Sequence, residues 1–176
     1  ATGARPGRAH EGAERMVRSG ATALASFGFA GALAPGLRPG ALVIPSVIIA
    51  PNGERYGADP EWRARLVKRV GAVEGGALLG STAPLATVRD KTCAHDETGA
   101  VAVDMESHEV ALAAREAGVP FLAVRSISDA ADMAIPSTAL RAVSPDGGRD
   151  TLGALLGLVQ APWELIALLR LARDSQ

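Results

Sequence analysis

The stretch from Val101 to Asp132 constrains the fold most. Val101-Ala102-Val103 is a short apolar run closed by Asp104-Met105-Glu106-Ser107-His108. An alanine-rich segment of helical spacing follows, and then a second apolar run, Phe121 to Ile127, closed by Ser128-Asp129. Two apolar runs flanking a helical period give a strand–helix–strand unit with carboxylates at both strand ends. In open α/β sheets such ends border the ligand crevice. Glu106 and Asp129 are therefore expected to face one pocket. Asp104 suits the helix N-cap, because its side chain accepts from the first free N–H groups. Val110, Ala111, Ala114 and Ala117 fall on one helical face, and their small size lets the helix lie close to a sheet. Gly118 and Pro120 end the helix. Phe121 to Ile127 suits a strand buried on both faces.

The rest of the chain is consistent with one α/β domain over residues 1–176. At 48% hydrophobic residues it has material for a core, which argues against disorder. A net charge of −1 without a basic block, and only 3% aromatics, argue against a nucleic-acid surface. The single Cys93 excludes an internal disulfide and fits a reducing compartment. Residues 1–20 are polar and charged, unlike a signal peptide. Ala21–Leu37 carries Gly and Pro throughout, and Leu152–Leu171 is interrupted by Gln160, Pro162, Glu164 and Arg170, so neither reads as a membrane span.

In order, Arg8–Ser19 reads as a helix closed by Gly20, and Ala21–Phe27 as a strand. Gly28-Phe29-Ala30-Gly31 reads as a glycine-bearing turn. Ala41–Ala50 is the most strand-like run, with Pro45 marking an edge or bulge. Residues 51–59 read as a polar loop. Asp59-Pro60-Glu61 opens a helix to about Val70, with Pro at N1. Ala72–Leu79 and Leu85–Val88 read as strands and Arg89–Glu97 as a short helix. Beyond Asp132, Ile135–Val143 reads as a helix and Pro145-Asp146-Gly147-Gly148 as a turn. Two amphipathic helices follow, one marked by Leu152, Leu155, Leu156 and Val159, the other from Pro162 to Arg173. His10 and His95 show no metal-ligand spacing, so no metal site is expected.

Val103-Asp104-Met105-Glu106-Ser107, followed by Arg125-Ser126-Ile127-Ser128-Asp129-Ala130-Ala131-Asp132, resembles the nucleoside phosphorylase superfamily. That family includes purine nucleoside and uridine phosphorylases and methylthioadenosine/S-adenosylhomocysteine nucleosidase. Within it, Ser26-Phe27-Gly28, Pro39-Gly40-Ala41-Leu42-Val43, Gly99 to His108 and Leu168 to Asp174 look most like the hopanoid-associated phosphorylases. The resemblance implies a mixed central sheet flanked by helices, assembled as a homo-oligomer in the cytoplasm. It also implies that the family's first strand, roughly thirty residues, is absent before Ala1.

The implied reaction is cleavage of a purine N-glycosidic bond by phosphorolysis, releasing adenine from adenosylhopane in hopanoid biosynthesis. It needs no cofactor or metal, and inorganic phosphate is the co-substrate. Positive charge builds on the ribose and negative charge on the base, as in glycoside hydrolysis. Asp129, the implied general acid, would protonate the base at N7 from an apolar site that raises its pKa. Ser128 would join it at the base. Glu106, ionised in the first turn of a helix, would hold the ribose hydroxyls over Met105. Gly28, Phe29, Ala30 and Gly31 would form a phosphate or water loop whose N–H groups cradle an anion. Phosphorylases place Ser or Thr where Phe29 stands, and some place Arg where Ser26 stands. Two alternatives therefore stay open: a nucleosidase using water, and an inactive truncated relative that binds a ligand or partner.

Bland roles suit the remaining candidates. Arg125 reads as an ion-pair residue with phosphate contact secondary, Phe27 and Phe29 as core, His108 as a solvated helix position, Asp132 as a cap and Cys93 as inert. In the C-terminal region, Trp163, Leu165, Ile166 and Leu169 beside Arg170 and Arg173 suggest peripheral contact with the inner membrane, where a lipid-linked nucleoside would be received.

Overall fold

The computed structural model describes residues 7–71 and 75–135. The expected elements beyond Ile135, including both C-terminal helices and their proposed membrane face, lie outside the described residues. Among the described residues no helix is long and apolar enough to cross a membrane.

The elements run α1 (Arg8–Arg18), β1 (Leu24–Ala32), β2 (Leu42–Val43), β3 (Val47–Ile49), β4 (Arg55–Gly57), α2 (Pro60–Val70), β5 (Ala77–Gly80), α3 (Val88–Thr98), β6 (Ala100–Asp104), α4 (Ser107–Ala117) and β7 (Phe121–Asp129). The strands form one seven-stranded sheet in the order β2-β7-β1-β6-β5-β3-β4. It is mixed: β1/β7, β3/β5 and β5/β6 are parallel, while β1/β6, β2/β7 and β3/β4 are antiparallel. The main core joins one face of the sheet (Leu24, Ala30, Ala32, Phe121, Ala123, Ile127) to Ala13 of α1 and Ala111, Ala113 and Ala114 of α4. On the β2/β7 side, Ile44, Leu122 and Val124 take Trp62, Leu66 and Val67 of α2.

Local chemistry sets the helix ends. Asp59 caps α2 by accepting from Trp62 N–H at 2.7 Å, with Pro60 at N1. Thr87 caps α3 in the same way through Asp90 N–H. Gly99 and Gly118 close α3 and α4 in the left-handed conformation, at φ 68° and 66°. The start of α1 has no local side-chain cap. Instead the Glu109 carboxylate of α4 accepts from Gly7 N–H at 2.6 Å and His10 N–H at 3.4 Å. An anion at a helix start is favourable, so here tertiary contact replaces a local signal.

Four sequence expectations change. The strand placed at Ala21–Phe27 runs from Leu24 to Ala32 and absorbs the expected turn. The Ala41–Ala50 strand splits into β2 and β3 around Pro45, which offers no N–H to a ladder. The polar loop at 51–59 contains β4, paired with β3 through a turn at Asn52-Gly53. The strand expected at Leu85–Val88 is not formed: residues 85–87 lead into α3, which begins at Val88.

His108 packs against Gly80. A Cβ added at Gly80 would lie 2.5 Å from its Nδ1 and 2.8 Å from its Cβ. Gly80→Ala should therefore destabilise the fold by about 1–3 kcal/mol, as overpacking does. In urea unfolding, Gly80→Ala should cost much less in a His108→Gly background, which lacks both the ring and the Cβ in contact. Additive losses would contradict the contact.

Candidate active site

Strand β1 separates the two acidic groups. Its register with β7 sets Gly31 against Asp129, and its register with β6 sets Gly31 against Val103. Asp104, one residue further, thus lies roughly 10 Å from Asp129, two strand spacings away. Because β6 runs antiparallel to β1 and β1 parallel to β7, β6 and β7 point in opposite directions. This corrects the simple parallel strand–helix–strand picture. What brings the two strand ends to one level is the short β6, not a shared direction. The β1/β6 ladder covers only Gly31 and Ala32, and Met105 and Glu106 follow where β6 has left β1.

Arg125 ties this region together. It is 2% exposed. Its Nε donates to Asp104 Oδ2 at 2.8 Å, its Nη1 to the Ser26 and Val124 carbonyls, and its Nη2 to the Ser26 and Ser107 hydroxyls at 2.6 and 2.7 Å. Those contacts occupy all five guanidinium donors. Arg125 is therefore the ion-pair residue expected, with no donor left over for phosphate. Asp104 Oδ2 also accepts from Ser107 N–H at 3.0 Å. Asp104 thus serves the start of α4 from the end of β6, while the N-cap position itself is Glu106.

Glu106 departs from expectation. It lies just before the first helical turn, at φ −133° and ψ −26°. It is half-buried, and among the described residues no donor bonds its carboxylate. Burial pushes its pKa above the ordinary 4.5, with nearby Asp104 and Glu109 adding to the rise and Arg125 opposing it. The first-turn environment expected to favour the ion is outweighed by desolvation. The carboxylate lies beside half-buried Met105.

Asp129 also departs from expectation. Instead of an apolar pocket it meets Lys91 of α3, whose ammonium donates to Asp129 Oδ2 and, at 2.8 Å each, to the Ala130 and Met133 carbonyls. Lys91 is fully buried, and those three acceptors use its three donors. Ser128 Oγ lies 2.6 Å from Asp129 Oδ1 and 3.2 Å from the Ala30 carbonyl. Lys91 escaped the sequence reading because a lone lysine on a polar helix carries no signal of burial.

The run Gly28-Phe29-Ala30-Gly31 is strand rather than turn, and neither glycine has positive φ. The expected anion nest is therefore not built there. The glycines serve close approach instead. A Cβ on Gly28 would meet the Arg125 guanidinium at 3.7 Å, and one on Gly31 would meet Asp129 Oδ2 at 3.1 Å. Phe27 and Phe29, expected in the core, are 57% and 44% exposed.

A cavity of about 350 Å³ lies elsewhere, lined by Tyr56, Asp59, Ala111, Arg115 and Phe121 among others. It sits at the amino end of β7, roughly 26 Å along the strand from Asp129, and no candidate residue lines it.

The raised pKa of Glu106 gives a stability test. Folding disfavours its charged form, so its contribution is full below pH 4.5 and is lost as pH rises through the folded-state value. Glu106→Gln should therefore raise the unfolding midpoint at pH 7, and the gain should vanish on the acid side of 4.5. An equal effect at both pH values would contradict the assigned burial.

Solved structures share this architecture. S-adenosylhomocysteine nucleosidase from Streptococcus pyogenes, in complex with 5-methylthiotubericidin, superposes with a TM-score of 0.70 at 21% identity, covering 90% of this chain and 76% of that one. Futalosine hydrolase of Helicobacter pylori gives 0.68 at 21%, covering 87% and 74%. The 5′-methylthioadenosine/S-adenosylhomocysteine nucleosidase from Neisseria meningitidis, in complex with methylthio-immucillin-A, gives 0.68 at 20%, covering 88% and 76%. No curated relative matches the sequence. The family model described as the phosphorylase superfamily matches residues 7–147, most of the chain, and the chain accordingly belongs to the phosphorylase superfamily.

Proposed function

We propose that the chain is a nucleosidase, hydrolysing the N-glycosidic bond of a purine nucleoside with water. The observation that carries this reading is the fully occupied Arg125 beside a glycine run that is strand. Together they leave Arg125 without a free donor and the glycine run without the positive-φ nest expected for an anion. The names of the similar structures, which are nucleosidases and a hydrolase, agree with it.

In this mechanism Glu106, ionised, accepts from the ribose hydroxyls over Met105. Among the described residues no donor occupies its lone pairs, which leaves them to the sugar, and the bonds strengthen as positive charge develops. Asp129 faces the purine with Ser128 and hands to N7, as the C1′–N9 bond breaks, the proton it takes up from the attacking water, ending as the carboxylate paired with Lys91. Lys91 holds the Asp129 carboxyl and the following loop in place. Water adds to C1′ and loses a proton, so one water is divided between sugar and base. Phosphorolysis of adenosylhopane, expected from the sequence motifs, uses the same two carboxylates and differs in the nucleophile.

The test is release of free base from methylthioadenosine, adenosylhopane and inosine, with and without phosphate. Adenine should appear without phosphate, and no sugar 1-phosphate should form. Asp129→Asn and Glu106→Gln should each lower turnover by roughly 10²–10⁴-fold while the protein stays folded. Lys91→Met should lower kcat, with little further loss when combined with Asp129→Asn. Phosphate-dependent release with sugar 1-phosphate would replace hydrolysis by phosphorolysis. Near-normal turnover in either carboxylate variant would remove that residue from the mechanism.

A further inference from the structure

A second group of ionisable side chains lies where α1 packs on α4. We propose that His10, Glu14 and Glu116 form a divalent transition-metal site that clips α1 to α4. His10 and Glu14 are one helical turn apart on α1, so they share a face. Glu116 comes from the last turn of α4. One ligand atom from each lies within 4.8 Å of the others.

The histidine is oriented for this. Its Nδ1 lies 3.3 Å from the Glu109 carbonyl oxygen. A carbonyl only accepts, so Nδ1 carries a proton, and in the neutral ring Nε2 then presents its lone pair. That lone pair faces Glu14 Oε1 at 3.6 Å and Glu116 Oε2 at 3.4 Å. Three electron-pair donors converge, and either a proton on Nε2 or a bound cation makes the arrangement favourable. A proton on Nε2 would draw a carboxylate in to about 2.7–2.9 Å, and both contacts are longer. A tetrahedral ion with bonds of about 2.0–2.2 Å holds its ligands roughly 3.3–3.6 Å apart, close to the two distances from His10 Nε2. The other Glu14 oxygen pairs with Arg18 at 3.3 Å, which leaves Oε1 for the ion.

One imidazole and two carboxylates, with water as a fourth ligand, suit Zn²⁺ and also Co²⁺ or Mn²⁺. The three side chains are 25%, 42% and 54% exposed, so an ion in solution can reach them. The site is structural. Glu116 and Glu106 stand at opposite ends of α4, about 15 Å apart along its axis. In the sequence, His10 and Glu14 do have a helical ligand spacing; the third ligand, far along the chain, becomes visible only when α1 docks on α4.

The test uses the whole chain, stripped with EDTA and titrated with Zn²⁺ by calorimetry and with Co²⁺ by visible absorption. One ion per chain should bind, the thermal midpoint should rise by about 5 °C at saturating Zn²⁺, and Co²⁺ should give a tetrahedral band. His10→Gln and Glu116→Gln should each weaken binding at least about tenfold, whereas His95→Gln should not. Circular dichroism of the variants confirms that they are folded. No saturable uptake, or uptake that survives both substitutions, would overturn the proposal.

Discussion

The ion pair between Arg125 and Asp104 holds the candidate site together. It joins β7 to the end of β6, passes over β1 where Gly28 has no side chain, and shares Ser107 with the start of α4. Two charges removed from water are costly, and only complete hydrogen bonding makes such a pair tolerable. Arg125 has that complete set, while Asp104 Oδ1 is buried without a partner among the described residues. Removing one member alone would leave an uncompensated charge, at a cost of about 3–5 kcal/mol. The pair fixes the turn from which Met105 and Glu106 project and the strand that ends in Asp129.

The two outer carboxylates then differ by their surroundings. Glu106 is half-buried and, among the described residues, accepts from no donor. Asp129 is held by a buried ammonium and a neighbouring hydroxyl. The proposed hydrolysis asks for this asymmetry, one carboxylate to hold the sugar and one to partner the base. The control of Asp129 comes from Lys91, not from an apolar pocket.

Much of this was legible in the sequence. The Asp59-Pro60 start of α2, the Gly118 end of α4 and the β6–α4–β7 unit follow from local chemistry, and the Asp-Met-Glu-Ser motif placed the ribose candidates at a strand end. Three features were not legible, because each depends on partners distant in sequence. Gly28 to Gly31 looks like a turn until β7 pairs along its whole length and the guanidinium and carboxyl of Arg125 and Asp129 explain the glycines. Glu106 looks like an ionised first-turn residue until packing removes its water. Lys91 and the Glu109 cap of α1 reach partners dozens of residues away, and no periodicity encodes such contacts.

The most direct measurement is a crystal structure with a non-hydrolysable purine nucleoside analogue. The account predicts one analogue bridging β1, with its ribose hydroxyls within hydrogen-bonding distance of Glu106 and its purine N7 facing Asp129. An analogue seated in the cavity beside Tyr56 and Arg115, or touching one carboxylate without the other, would contradict it.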